Sequence, residues 1–439
     1  MSAGAPTAGE RSRVQPTAPA QTIGSGVEPR LRWWILALLA LANGGAYYVY
    51  DSIAPVADLL HRQLGFSYGE IGTLTGICSL PNIAIALFGG VLADRHGPAR
   101  VAAWSMAIAT VGALLTAVGS HFWLMAIGRL LFGAGGGGAF VALLVGVGHW
   151  FSGARLGVAM AVYFSIARLG SYFADLAPDL LKPVFDRGWQ APLWLATGIC
   201  AAAFLASLGY ERIESRHRRT NQDTASASLD WSMLAGIRPA FWYLLAMSTM
   251  FYAVVFPFRS TFSIEYFQNA RGLSLQDAGI TNSWVFLAAI VATPAFGWIA
   301  DRTRHRTALL AGGMLALALS FVILGGTLWP LWITTALVGL SYSMVPAVLW
   351  PSISQQVELP RLGAAFGLMT ILQESGMFLS NVAAGRLNDW GQAGAGHPAG
   401  YQPMLAYFGG VAGLGFLIIL ALWMHAATPA AGGNARERA

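Results

Sequence analysis

The chain has 439 residues, of which 56% are hydrophobic and only 10% charged, with a formal net charge of +6 and a mean hydropathy of +0.56. A soluble domain carries about 25% charged residues, so this composition excludes an ordinary soluble enzyme or a charged disordered chain. It predicts an all-α membrane protein.

Residues 1–31 are rich in Pro, Ala, Gly, Ser and Thr and have no apolar core. They read as a disordered cytoplasmic tail rather than a signal peptide. Apolar runs of about 20 residues then recur along the chain, each long enough to cross a bilayer as a helix. Helices satisfy their own backbone polar groups in hydrocarbon, and the runs are too long and continuous for barrel strands. Twelve spans are predicted, at 32–60, 67–93, 98–119, 122–149, 156–182, 190–210, 240–268, 276–300, 306–326, 330–357, 361–389 and 401–426. The longest connection, 211–239, is polar and basic and separates two groups of six. The expected organisation is a six-helix bundle over 32–210, a cytoplasmic linker, a second bundle over 240–426 and a short tail over 427–439.

Basic residues set the orientation. With the N-terminus in the cytoplasm, 18 of the 26 Lys and Arg residues fall on that side and four on the other, the remaining four lying within spans. The positive-inside rule therefore places both termini in the cytoplasm. The basic balance follows from topology, and no nucleic-acid partner is expected. Cys78 and Cys200 both lie in apolar segments and read as small packing residues. No nucleophile–base pair and no metal-ligand spacing appears, so neither an enzyme nor a cofactor is expected. Gly133-x-Gly135-x-x-Gly138 fits a dinucleotide fingerprint, but it sits inside an apolar helix, where small residues serve close packing.

The two halves repeat. "GGVLADRHGPAR" (Gly89–Arg100) follows the second span and "FGWIADRTRHR" (Phe296–Arg306) follows the eighth, with Asp94 and Asp301 offset by 207 positions. The fifth and eleventh spans match at an offset of 206, aligning Gly157 with Gly363 and Gly170 with Gly376. Two bundles related by a pseudo-twofold axis are expected.

Gly90-x-Leu92-Ala93-Asp94-Arg95-x-Gly97 resembles the signature loop of the major facilitator superfamily between helices 2 and 3. Asp301-Arg302 is similar to its weaker copy, and Arg129-x-x-x-Gly133-x-Gly135 to the helix 4 motif. The resemblance implies a gating role at the cytoplasmic face for Asp94, Arg95, Asp301 and Arg302, and a gating role for Arg129. The chemistry of the loop agrees. An acid after one helix can pair with basic groups and with the N-terminus of another helix, and Gly97 and Pro98 suit a tight turn into the next helix. "YYVYDSIAP", "FYAVVFPF", "GLSYSMVPAVLWP" and "LGAAFGLMTILQ" resemble the lysosomal dipeptide transporter branch of the superfamily and its bacterial relatives. That branch has an arginine at the position of Arg168 and a Trp-Pro pair like Trp350-Pro351. It carries an acid in helix 4 where this chain has Gly137.

Arg168 stands about 18 Å into its span, near the bilayer centre, where an arginine costs about 2.5–3.5 kcal/mol on insertion scales. It therefore has to face a wet cavity, a counter-charge or a charged ligand. Adding the repeat offset of 206 leads to Glu374, at matching depth on the eleventh span. The expectation is that Arg168 binds a substrate carboxylate bidentately and Glu374 an ammonium or a proton; a direct Arg168–Glu374 ion pair is the alternative. In the superfamily these helices line the central cavity, and Glu374 then replaces the acid missing at 137. Asp51 and Arg259 are nearly symmetric at the opposite end of the spans and form a candidate outer gate. Tyr47 and Tyr50 offer hydroxyls and Trp350 an aromatic wall as further substrate contacts.

The expected function is a secondary active or facilitative transporter working by alternating access in the lipid bilayer, with a small carboxylate-bearing solute such as a dipeptide as substrate. A proton-coupled mono- or dicarboxylate transporter is the alternative, and a non-transporting receptor or scaffold on the same fold a distant one. One lysine against 25 arginines, in an Ala- and Gly-rich chain, suggests a GC-rich bacterium and its inner membrane.

Overall fold

The computed structural model describes residues 28–217, 237–303, 305–326, 330–358 and 361–427. Of the expected tails, residues 1–27 and 428–439 lie outside the described residues, as does most of the linker, while 29–31 already belong to the first helix. Among the described residues the fold is helical, with a single isolated bridge between Gly394 and His397 as its only extended pairing.

The first span is α1 (Pro29–Asp51), a 3₁₀ turn (Ala54–Val56) and α2 (Ala57–Leu64). Pro55 has no N–H to give and breaks the span near its end. The second span is likewise two pieces, α3 (Tyr68–Gly76) and α4 (Ser79–His96). A capping box starts α3, in which Ser67 Oγ accepts from Glu70 N and Glu70 Oε2 from Ser67 N. Then come α5 (Pro98–Val118), α6 (Phe122–Trp150), α7 (Ala154–Leu180), the single turn α8 (Lys182–Phe185) and α9 (Gln190–His217). Gly97 joins α4 to α5 at a φ of 86°, a conformation that favours glycine, and Pro98 opens α5 at its first position.

The second half runs α10 (Pro239–Pro257), a π-helical turn (Phe258–Phe262), α11 (Ser263–Arg271), α12 (Leu275–Arg302), α13 (Arg306–Gly326), α14 (Leu331–Ser354), α15 (Leu362–Trp390) and α16 (Gln402–Ala427). Eleven helices among the described residues are long and apolar enough to cross a membrane. The expected first span, α1, is not among them, because Trp, Tyr, Asn43 and two glycines dilute its apolar run. The linker starts later than 211. Glu214 is buried and accepts from Trp150 Nε1 and the Tyr210 hydroxyl, which holds α9 helical through His217.

In the first half α1 lies along α7 and α9, and α5 between α6 and α9; in the second, α12 packs on α14, α13 on α14 and α16, and α10 on α15 and α16. The halves meet where α3 and α4 face α15 and where α7 faces α12. These crossings need glycine. A Cβ on Gly72 would strike the Asn381 carbonyl, one on Gly385 the Tyr68 carbonyl, and one on Gly279 the Asp175 carbonyl. All three lie at the end of the helices opposite the arginine-rich loops. That far end is where the two halves are packed together.

Candidate functional site

Arg168 and Glu374 sit near the middles of α7 and α15, from opposite halves, and both side chains are half-buried. Arg168 lies 4.7 Å from the Tyr342 ring centroid, a cation–π contact made across the interface to α14. Its Nη1 is enclosed and has no hydrogen-bond partner. Glu374 Oε1 accepts from Asn82 Nδ2 at 3.3 Å, and Ser79 lies beside this carboxylate. Glu374 Oε2 is enclosed and unpartnered. No ion pair joins Arg168 to Glu374 among the described residues.

Aromatic hydroxyls occupy the space around them. Tyr252 on α10 is within electrostatic reach of both Arg168 and Glu374 and lies beside Trp350. Tyr47 is within reach of Arg168, Tyr252 and Tyr342. Tyr50 is near Glu374 and stands beside Arg129. Trp350 itself packs edge-on against Phe366 at 5.1 Å. The structure thus brings Arg168, Glu374, Tyr47, Tyr50 and Trp350 to one central region. It adds Ser79, Asn82, Tyr252 and Tyr342, which no motif singled out. Serine, asparagine and tyrosine are common in such helices, and only packing shows which of them face the charges.

A second constellation closes the far end. Asp51 and Arg259 form a fully buried ion pair between the halves. Asp175 on α7 adds a second carboxylate, its Oδ2 3.9 Å from Arg259 Nη1, and Phe286 covers the guanidinium at 4.0 Å. The π-helical turn after Pro257 carries Arg259 inward; such turns insert an extra residue and re-aim side chains. Asp175 on α7, like Ser79, Asn82, Tyr252 and Tyr342 at the centre, is a polar residue whose place the repeat did not reveal.

Further out, the Tyr401 hydroxyl donates to buried Glu265 and lies 3.3 Å from the Tyr68 hydroxyl of the other half. Asn269 joins Asp58 at 3.0 Å and Arg62 at 3.1 Å. Asp389 accepts from the amides of Tyr68 and Gly69 at 2.7 and 2.8 Å, so an acid from the second half caps the N-terminus of α3.

The family model described as Major Facilitator Superfamily matches residues 36–381 and 258–439. This chain belongs to the major facilitator superfamily. It is a multi-pass membrane transporter and not an enzyme. It is 26% identical over 453 residues to the human lysosomal dipeptide transporter MFSD1, covering 98% of this chain and 94% of that one. It is 26% identical over 369 residues to SauU of Cupriavidus necator, described as a probable sulfoacetate transporter, covering 77% and 83%. A solved structure of a variant of the nucleoside transporter NupG superposes with a TM-score of 0.73 at 14% identity, covering 90% of this chain and 99% of that one. At that identity the likeness speaks for the fold alone.

The superfamily loop after α4 leaves Arg95 exposed, and Arg302 lies on the face of Trp298 at 4.1 Å. The side chains of Asp94 and Asp301, expected as their gating partners, lie outside the described residues. Arg129 sits apart from these loops. It is buried at 1% exposure, and Nε, Nη1 and Nη2 donate to the carbonyls of Leu74, Val49 and Tyr50 at 3.2, 3.1 and 3.0 Å. Those carbonyls border the breaks in the first and second spans; Cys78 N, for example, turns to Thr75 O and leaves Leu74 O to the guanidinium. All three bonds stay within the first half, so Arg129 staples two broken helices rather than joining the halves. Gly133 and Gly135 allow close backbone approach to Cys78 and to α5, as packing and not cofactor chemistry requires.

Proposed function

We propose that this superfamily member moves a small zwitterion, with a dipeptide as the leading class, by alternating access about the Arg168–Glu374 centre. One observation carries the reading. A guanidinium nitrogen and a carboxylate oxygen from opposite halves are enclosed, unpartnered and not paired with each other. Buried polar groups are nearly always hydrogen-bonded, and buried charges need partners. A ligand bearing a carboxylate and an ammonium would complete both. Arg168 would take the carboxylate in a charge-assisted bond, Glu374 the ammonium, and Tyr47, Tyr50, Tyr252 and Trp350 would wall the body of the solute. The likeness to MFSD1 over nearly the whole chain supports the same class.

In this reading Asp51, Arg259 and Asp175 form the outer gate and are closed. The described conformation is then inward-facing, with the arginine-rich end in the cytoplasm and Asp94, Arg95, Asp301 and Arg302 available to latch the opposite state. Glu374 is also the acid best placed to carry a proton. A bacterial inner membrane fits the arginine-rich composition.

The likeness to SauU supports a second reading, an organic-anion transporter anchored by Arg168 alone. Uptake of labelled dipeptides and of simple organic acids by purified protein in proteoliposomes separates the two. The zwitterion reading expects Glu374→Gln to impair dipeptide uptake; unchanged dipeptide uptake in that variant would leave the anion reading standing.

A further inference from the structure

Glu374 belongs to the second half, yet the group hydrogen-bonded to its carboxylate, Asn82, comes from α4 of the first. An asparagine amide can donate to a carboxylate only through its nitrogen, so Asn82 Nδ2 toward Glu374 fixes where Oδ1 points. It points at α6. A Cβ built on Gly137 would fall well inside the contact distance of Asn82 Oδ1. The glycines of α6 therefore divide by what they face. Gly133 and Gly135 meet the backbone of neighbouring helices, whereas Gly137 meets the side chain of Asn82 and, at 3.2 Å, that of Ile85. Glycine inside a helix costs about 1 kcal/mol relative to alanine, and at 137 the room it leaves is taken by the amide.

We infer that Asn82 is a positioning residue for Glu374, and that Gly137 is the residue that admits it. The inference rests on the zwitterion reading given above. With Oε1 held by Asn82, the carboxylate cannot swing, and Oε2 is left as the free acceptor for a substrate ammonium. Since the orienting donor and the acid lie on different halves, the oriented carboxylate exists only while α4 and α15 remain packed together. Gly137 thus acts on specificity without touching the solute. It decides whether the amide has a place to sit, and the amide decides how sharply the site distinguishes an ammonium from a neutral amide.

The test uses the full-length protein in proteoliposomes taking up a labelled dipeptide. Half-inhibitory concentrations are measured for the unlabelled dipeptide and for its N-acetyl derivative, which keeps the carboxylate and loses the ammonium. In the wild type, acetylation weakens inhibition. In Asn82→Ala and in Gly137→Ala the ratio between the two inhibitors shrinks about tenfold, the size expected for losing one hydrogen bond to a charged group. The double variant is no worse than either single one, because both act through one contact. A purely structural role would lower uptake and leave the ratio alone. A wild-type ratio in folded Asn82→Ala overturns the inference, and that variant removes atoms without adding any, so it serves even if Gly137→Ala does not fold. A wild type that does not distinguish the two inhibitors overturns the zwitterion reading itself, and this inference with it.

Discussion

The centre and the far end of this transporter both hold buried charge at the interface between the two halves, and they treat it in opposite ways. At the far end, Arg259 is ion-paired with Asp51, approached by Asp175 and covered by Phe286. At the centre, Arg168 and Glu374 have no oppositely charged side chain within ion-pair distance among the described residues; Arg168 meets the Tyr342 ring and Glu374 the Asn82 amide. A charge that locks two halves together wants its counter-charge supplied by the protein, since an uncompensated buried ion is costly. A charge that awaits a ligand must be left incomplete. On the proposed function, the contrast is that between a latch and a binding site.

The contrast can be broken most forcefully at Arg259. Replacing it with alanine strands Asp51 and Asp175 in the interior, and breaking a buried pair this way costs about 3–5 kcal/mol. Thermal unfolding in detergent checks this; a melting temperature equal to wild type would mean that the far-end pair is not a latch. Arg168→Ala is expected to behave differently. The protein stays folded, and dipeptide uptake falls by roughly 100-fold, in line with about 2–5 kcal/mol for truncating a hydrogen-bonded charge partner. Arg168→Lys recovers only part of the activity, because an ammonium cannot offer the planar fork.

Glycine at the far-end crossings gives a smaller and conformational effect. Gly385→Ala places a methyl against the Tyr68 carbonyl, overpacking that costs about 1–3 kcal/mol. The closed far end is disfavoured, so a cysteine placed at Asn381 reacts faster with a membrane-impermeant thiol reagent. Unchanged labelling would show that the crossing is not tight. The smallest effect belongs to the exposed pair Lys182–Asp186, at 2.7 Å with both side chains more than half exposed. Lys182→Ala changes stability by less than about 1 kcal/mol and leaves uptake unchanged.

Arg168 was legible in the sequence because a permanent charge inside an apolar run has few explanations. Glu374 and the Asp51–Arg259 pair were legible through the repeat, which relates residues that pseudo-symmetry brings to matching depth. Asp175 was not, since an acid near a helix end looks like an ordinary boundary residue until α12 is seen to pack over it. Asn82 was hidden for another reason. Its significance lies in the space left by Gly137 on a different helix, and no spacing rule links 82 to 137. The Arg129 motif was visible, but its partners were not. Its pattern marked the residue as a gate, but did not show that its guanidinium donates to the carbonyls of Leu74, Val49 and Tyr50 beside the breaks at Pro55 and Cys78. The apolar runs were legible, while the internal breaks that aim Arg259 and expose those carbonyls depend on local backbone detail that hydropathy does not register.

The most direct measurement is a structure of the protein with a dipeptide bound. The zwitterion reading predicts the substrate carboxylate within hydrogen-bond distance of the Arg168 guanidinium and its ammonium within hydrogen-bond distance of Glu374 Oε2. A bound state in which Arg168 and Glu374 pair with each other and the dipeptide lies elsewhere would contradict it.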